Sequence, residues 1–189
     1  MNQWQNLYDR FVGLDLERRR REKLERARAE AIQAFDAWCS QAVDNTMREI
    51  HHAMSRRALD FERCTGCAVQ VQYPARPAIK APPDGPYMTF LHLHVGFSQV
   101  HLYSHRLSGA WPLLHSILVA SDARSGPPSL RNRTLVTLPR CMIVQRADGV
   151  QQLRRVAPAD PQRDGEPIDV EEVVYRCFEL LVDGLRRAA

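Results

Sequence analysis

The chain has 189 residues, 44% of them hydrophobic, with a formal net charge of +4 and a pI of about 9.0. That length suits one domain with one core, and no apolar run reaches the roughly 18 residues a bilayer span needs, so no membrane partner is expected. Five scattered cysteines argue against a disulfide framework, and the N-terminal MNQWQNLYDRF lacks a basic-then-apolar leader pattern. Both features point to a reducing, cytoplasmic setting.

From Trp4 to Arg63 the chain reads as helix, an N-terminal arm (1–63) ahead of an α+β body (64–189) whose core takes in the helix of 31–63. This stretch contains no proline, and its single glycine, Gly13, marks an expected break between a short helix and a long one. Ala31, Phe35, Trp38, Ala42, Ile50 and Ala53 or Met54 recur at helical spacing as a stripe to bury. Between Glu17 and Glu30 that stripe thins to Leu24 and Ala27, and charges cover the remaining faces. Glu17 with Arg21, Glu22 with Arg26, Arg18 with Glu22 and Arg21 with Glu25 stand at i,i+4, each pair contributing about 0.2–0.5 kcal/mol at a solvated surface. A salt-bridged helix of this kind either stands in solvent or meets a protein partner, a second copy included.

Cys64-Thr-Gly-Cys67 closes the helix, with Gly66 suited to a left-handed C-terminal position. Ala68 to Tyr73 alternates as a strand, and a proline-rich connection (74–86) leads to YMTFLHLHVGFSQVHLYSHRL, residues 87–107. Here alternation is strict. Leu91, Leu93, Val95 and Phe97, then Val100 and Leu102, share one face, while Phe90, His92, His94, His101, Tyr103 and His105 share the other. A hairpin with a two- or four-residue turn around Phe97 and Ser98 is expected to set Val95 opposite Val100, Leu93 opposite Leu102, His94 opposite His101 and His92 opposite Tyr103.

Residues 109–120 admit a short helix starting at Pro112 or a buried strand, and the Ile117/Val119 alternation favours the strand. A basic loop (121–133) precedes strands at Thr134–Leu138 and Cys141–Arg146. Asp148-Gly149 is a type I′ hairpin signal leading into Val150–Val156. Ala157–Pro167 reads as a polar linker. The final helix is capped by Asp169 with Glu172 three residues on, stapled by Ile168 and Val173, and striped by Val170, Val173, Val174, Cys177, Leu181 and Leu185. Helix, then strands, then helix give an α+β fold: a mainly antiparallel meander of five to seven strands with both long helices on one face.

Three groups carry candidate chemistry. His92, His94 and His101 offer a fan of imidazoles that suits zinc, but no Asp or Glu lies on these strands to orient them, and a histidine-rich sheet surface explains the same letters. Cys64 and Cys67 supply half a zinc site, a redox dithiol or a plain helix-ending turn, with His51 or His52 near enough in sequence to join them. Arg124, Arg131, Arg133, Arg140, Arg154 and Arg155 belong to a region, Ser121–Arg163, with eight arginines against three acids. Such density can hold nucleic acid or another polyanion, although the region has no aromatic residue to stack a base.

No phosphate loop, GxSxG elbow or HExxH is present. The residues thus favour a non-catalytic interaction or assembly module that pairs through its N-terminal helix, as a homo-oligomer or with another protein, and binds polyanions through 121–155. The alternative is a small metal-dependent enzyme built on the histidines.

Overall fold

The computed structural model describes residues 3–74, 90–96, 98–105, 111–120, 134–137, 141–157 and 160–188. The chain divides into two compact units, Met1–Trp38 and Cys39–Ala189. Helix α1, Gln3–Thr65, passes through Gly13 without interruption, so the expected break is absent. A glycine costs a helix about 1 kcal/mol relative to alanine, and neighbours such as Leu14, Leu16, Glu17 and the arginines that follow are strong helix formers.

In the first unit the side chains from Trp4 onward are solvated or half-buried, and the fully buried residues of α1 begin only at Cys39. None of the i,i+4 pairs expected between Glu17 and Arg26 closes to an ion pair, although the Glu22 charge still acts on Arg18. Asp15 instead holds two guanidiniums, Arg18 Nη2 at 2.8 Å and Arg19 Nε at 2.8 Å. The hydrogen bond from Arg18 is the main cause of an Asp15 pKa below the ordinary carboxylate value. Long side chains in full solvent gain too little from pairing to hold one geometry, whereas a short carboxylate reached by two forks does hold one.

In the second unit α1 buries Ala42, Met47, Ile50, Met54 and Ala58, the C-terminal part of the expected stripe with its gaps filled, whereas Ala31 is exposed and Phe35 and Trp38 are half-buried. The helix ends on Gly66 at φ +71°, whose N–H donates to the Glu62 carbonyl at 2.7 Å. Helix α2, Val170–Ala188, opens on Asp169, whose Oδ1 accepts from the Glu172 N–H at 2.7 Å. The reciprocal half of the capping box is not made, because the Glu172 carboxylate pairs with Arg155. Val173, Val174, Cys177, Leu180 and Leu181 form its buried stripe.

The described strands are β1 (Gln70–Gln72), β2 (Phe90–Val95), β3 (Ser98–His105), β4 (Leu113–Ala120), β5 (Thr134–Thr137), β6 (Cys141–Gln145), β7 (Gln151–Ala157) and β8 (Asp160–Ile168). They make one antiparallel sheet in the order β1-β2-β3-β4-β6-β7-β8, with β5 pairing to β4 off this path. The fold is therefore the expected α+β meander, and 113–120 is the strand. The proline-rich stretch read as a linker supplies β8, which among the described strands pairs only with β7. An edge strand tolerates Pro161 and Pro167 because one side of its ladder needs no donors.

Leu91, Leu93, Val100 and Leu102 are at most 1% exposed, and α2 packs over β2, β3 and β4. Ser98 Oγ donates to the Leu181 carbonyl at 3.1 Å, tying the start of β3 to that helix. Gln151 Nε2 reaches the Ala42 carbonyl at 3.1 Å and also the Thr46 hydroxyl, joining β7 to α1. On the opposite sheet face Met142, Val144 and Val156 form a second, smaller apolar cluster with Trp111 and Leu113.

Two turns differ from expectation. The 146–150 turn has positive φ at Gly149 alone (+82°), with Arg146 N–H to Val150 O at 2.9 Å and Gly149 N–H to Arg146 O at 2.9 Å. A type I′ turn needs positive φ at both central residues, so this is a three-residue loop with its glycine in the bulge position. The β2–β3 turn falls at Gly96, φ +53°, immediately after Val95.

Two glycines check these assignments. Gly13→Ala is expected to raise helical ellipticity and to stabilise the helix by about 0.5–1 kcal/mol, since an added methyl meets nothing within 4 Å. A flexible hinge there would give no such gain. Gly165→Ala should lower stability by on the order of 1–3 kcal/mol in urea unfolding, because its Cβ would run into the Arg155 carbonyl across the β7–β8 ladder.

Candidate functional site

The early turn at Gly96 sets the hairpin register. Val95 pairs with Ser98, His94 with Gln99, Leu93 with Val100, His92 with His101, and Leu91 with Leu102. The expected register is displaced by two residues. A two-residue slip keeps every side chain on its face, which is why the apolar and histidine faces survive while the cross-strand partners change.

His92 thus stands directly against His101, with ring centroids 4.1 Å apart and planes tilted by 60°. His101 is 2% exposed and its Nε2 lies 3.3 Å from Gln99 Oε1. His92 Nε2 and His94 Nδ1 are buried and find no hydrogen-bond partner among the described residues. Burial, reinforced by the neighbouring His94, pushes the His92 pKa below the usual imidazole value.

Strand β4 continues the sheet beside β3, its backbone pairing His115 with Tyr103 and Leu113 with His105. Among the histidines whose side chains are described, His92, His94 and His101 share this face. Among the described residues no group of three or more His, Cys, Asp or Glu side chains stands close enough to hold a metal ion. The third proposed ligand, His94, is set against Gln99, one step along the ladder from the His92–His101 pair.

Cys64 and Cys67 are both exposed, and neither is joined in a disulfide. Thr65 Oγ1 accepts from the Cys67 N–H at 3.1 Å and donates to the Phe61 carbonyl at 2.7 Å, so the motif closes the helix. His51 turns instead to Tyr73, with ring centroids 5.6 Å apart, and the Tyr73 hydroxyl donates to Asp44 Oδ1 at 2.8 Å. Burial and that carboxylate push the Tyr73 pKa up to about 12. Cys64 borders a cavity of about 550 Å³ between the end of α1 and the start of α2. Phe61, Val174 and Phe178 line it, and Arg57 and Glu171 stand at its polar side. Sequence spacing gave no sign of this cleft, since its walls lie more than 100 residues apart.

Of the arginines, Arg124, Arg131, Arg133 and Arg140 lie outside the described residues. Arg154 Nε donates to Gln152 Oε1 at 3.1 Å, and Arg155 is bound to Glu172.

The first unit presents the other candidate surface. Trp4, Leu7, Phe11 and Leu14, 65%, 54%, 70% and 67% exposed, follow one another at spacings of three, four and three residues, with Tyr8 and Val12 beside them. That spacing aligns them along one side of the helix. The earlier stripe began only at Ala31, and this one was hidden by the break expected at Gly13. No helix among the described residues is long and apolar enough to cross a membrane.

Compared with models of protein families, with curated proteins and with solved structures, the chain matches none.

The half-buried His92 makes stability pH-dependent. Its folded-state pKa lies below the ordinary 6.5, so the unfolded chain binds the extra proton as pH falls through that value. Stability should be full above 6.5 and decline below it, as read by urea midpoints at about pH 7.5 and about pH 5.5. His92→Phe should flatten this slope, and an unchanged slope would show that His92 is not the group responsible.

Proposed function

We propose that the protein is a non-catalytic assembly module that docks a partner helix on the apolar side of its N-terminal helix. The observation that carries this reading is the row Trp4, Leu7, Phe11 and Leu14, large apolar side chains more than half exposed on a helix segment that buries nothing of its own. Wholly burying such side chains is worth about 1.5–3 kcal/mol each. Four from each side supply a term of the same order as the roughly 4–15 kcal/mol that association costs, so a matching stripe on a partner can carry a complex. Single exposed leucines need no explanation, whereas a contiguous aromatic and aliphatic row marks an interaction surface.

The reading is tested by light scattering on the pure protein together with affinity capture from cell extract, comparing the parent chain with Leu7→Asp/Phe11→Asp. Association, with itself or with a captured protein, should be present in the parent and lost in the variant. A parent chain that stays single and captures nothing beyond what the variant captures would end this proposal.

A second reading, transition-metal binding on the histidine face, is favoured by the partnerless buried nitrogens of His92 and His94. His92 and His101 would be two ligands, and His94 on the same face of β2 would be a third. Metal analysis of protein purified without chelator should then find near-stoichiometric zinc or a similar ion that is lost in His92→Ala/His94→Ala. Metal kept by that variant would point to Cys64 and Cys67, and metal-free protein that binds no added zinc would dismiss the reading.

A further inference from the structure

We infer that the partner of the N-terminal helix is a second copy of this chain, packed in parallel through Trp4, Leu7, Phe11 and Leu14. This rests on the docking role proposed above and names its occupant. The 3-4-3 spacing places Trp4 and Phe11 at the first, and Leu7 and Leu14 at the fourth, position of two successive heptads, the positions that form the seam of a coiled coil. In the same frame Arg10 takes the last position of the first heptad and Asp15 the fifth position of the second.

In a parallel pair those two positions lie across the seam from each other, so each Arg10 faces Asp15 of the partner copy and the symmetry repeats the contact. An antiparallel pair aligned on the same four residues would bring Arg10 toward its own copy, like charge against like. Asp15 already binds Arg18 and Arg19 of its own helix, but a carboxylate has about four acceptor sites and can take a further guanidinium. The seam is short. In the next heptads its positions fall to Arg18, Arg21, Glu25 and Arg28, which end the apolar contact and splay the helices apart.

A bilayer surface is the less favoured occupant of this face. Anionic lipid rewards basic residues beside the apolar row, whereas residues 3–16 carry Asp9 and Asp15 against Arg10 alone, and Asp15 lies in line with the apolar row.

The test uses the full chain. Light scattering should give twice the 21.7 kDa chain mass, falling to the single mass in Leu7→Asp/Phe11→Asp with helical ellipticity retained. Arg10→Glu should weaken association by about 2- to 10-fold, and Arg10→Glu/Asp15→Arg should recover it. In a Cys64→Ser/Cys67→Ser background, Leu14→Cys chains should cross-link to one another on mild oxidation. A mixture of Trp4→Cys and Leu14→Cys chains should give no joined 4–14 product.

Cross-linking between positions 4 and 14 would overturn the parallel arrangement. A single-mass protein at every concentration, still capturing another protein through Leu7 and Phe11, would overturn self-pairing while leaving the docking role intact. A single-mass protein that captures nothing but sediments with anionic phospholipid vesicles, in a manner lost in Leu7→Asp/Phe11→Asp, would overturn both.

Discussion

A β-strand presents alternate side chains to opposite faces, and the rest of the second unit follows from how β2 and β3 use that rule. Leu91, Leu93, Val100 and Leu102 commit one face to the interior beneath α2. Once that face is committed, His92, His94 and His101 are forced to the other. No local preference of histidine is involved; imidazoles gather there because the leucines and valines between them have claimed the core.

That gathering has an electrostatic consequence. His92 and His101 meet ring to ring on the second face, where buried nitrogens gain little from water. A neutral pair tolerates this contact, but a doubly protonated one would combine desolvation with like-charge repulsion. The depressed His92 pKa expresses the same fact from the proton's side. His92 is thus biased toward its neutral form, the form of imidazole that ligates metals, and the nearby cluster of Met142, Val144 and Val156 keeps part of this face apolar.

The N-terminal helix poses a different problem, because its apolar row lies within the first unit with each side chain more than half exposed. Backbone hydrogen bonds and the Asp15 fork with Arg18 and Arg19 support the helix locally. Neither supplies a reason for Trp4, Leu7, Phe11 and Leu14 to face water. A protein that carries its recognition surface on a preformed helix loses less conformational entropy on docking than one that must order a coil.

The local elements were written plainly in the residues. The buried stripes of both helices, the Asp169 cap, the Gly66 terminus and the two-faced hairpin each depend on neighbours a few positions away, and each could be read from spacing. Register, edges and long-range contacts could not. The two-residue slip that sets His92 against His101 depends on Gly96 turning the chain immediately after Val95, and either register keeps the leucines inside. The strand at Asp160–Ile168 exists because an open sheet edge accepts prolines that an interior strand would refuse. Helix continuity through Gly13 depended on a whole run of strong helix formers outweighing one weak residue. The sequence by itself determined which side chains share a face. Only the tertiary structure decided which of them touch, because strand pairing and helix packing are chosen by partners distant in the chain.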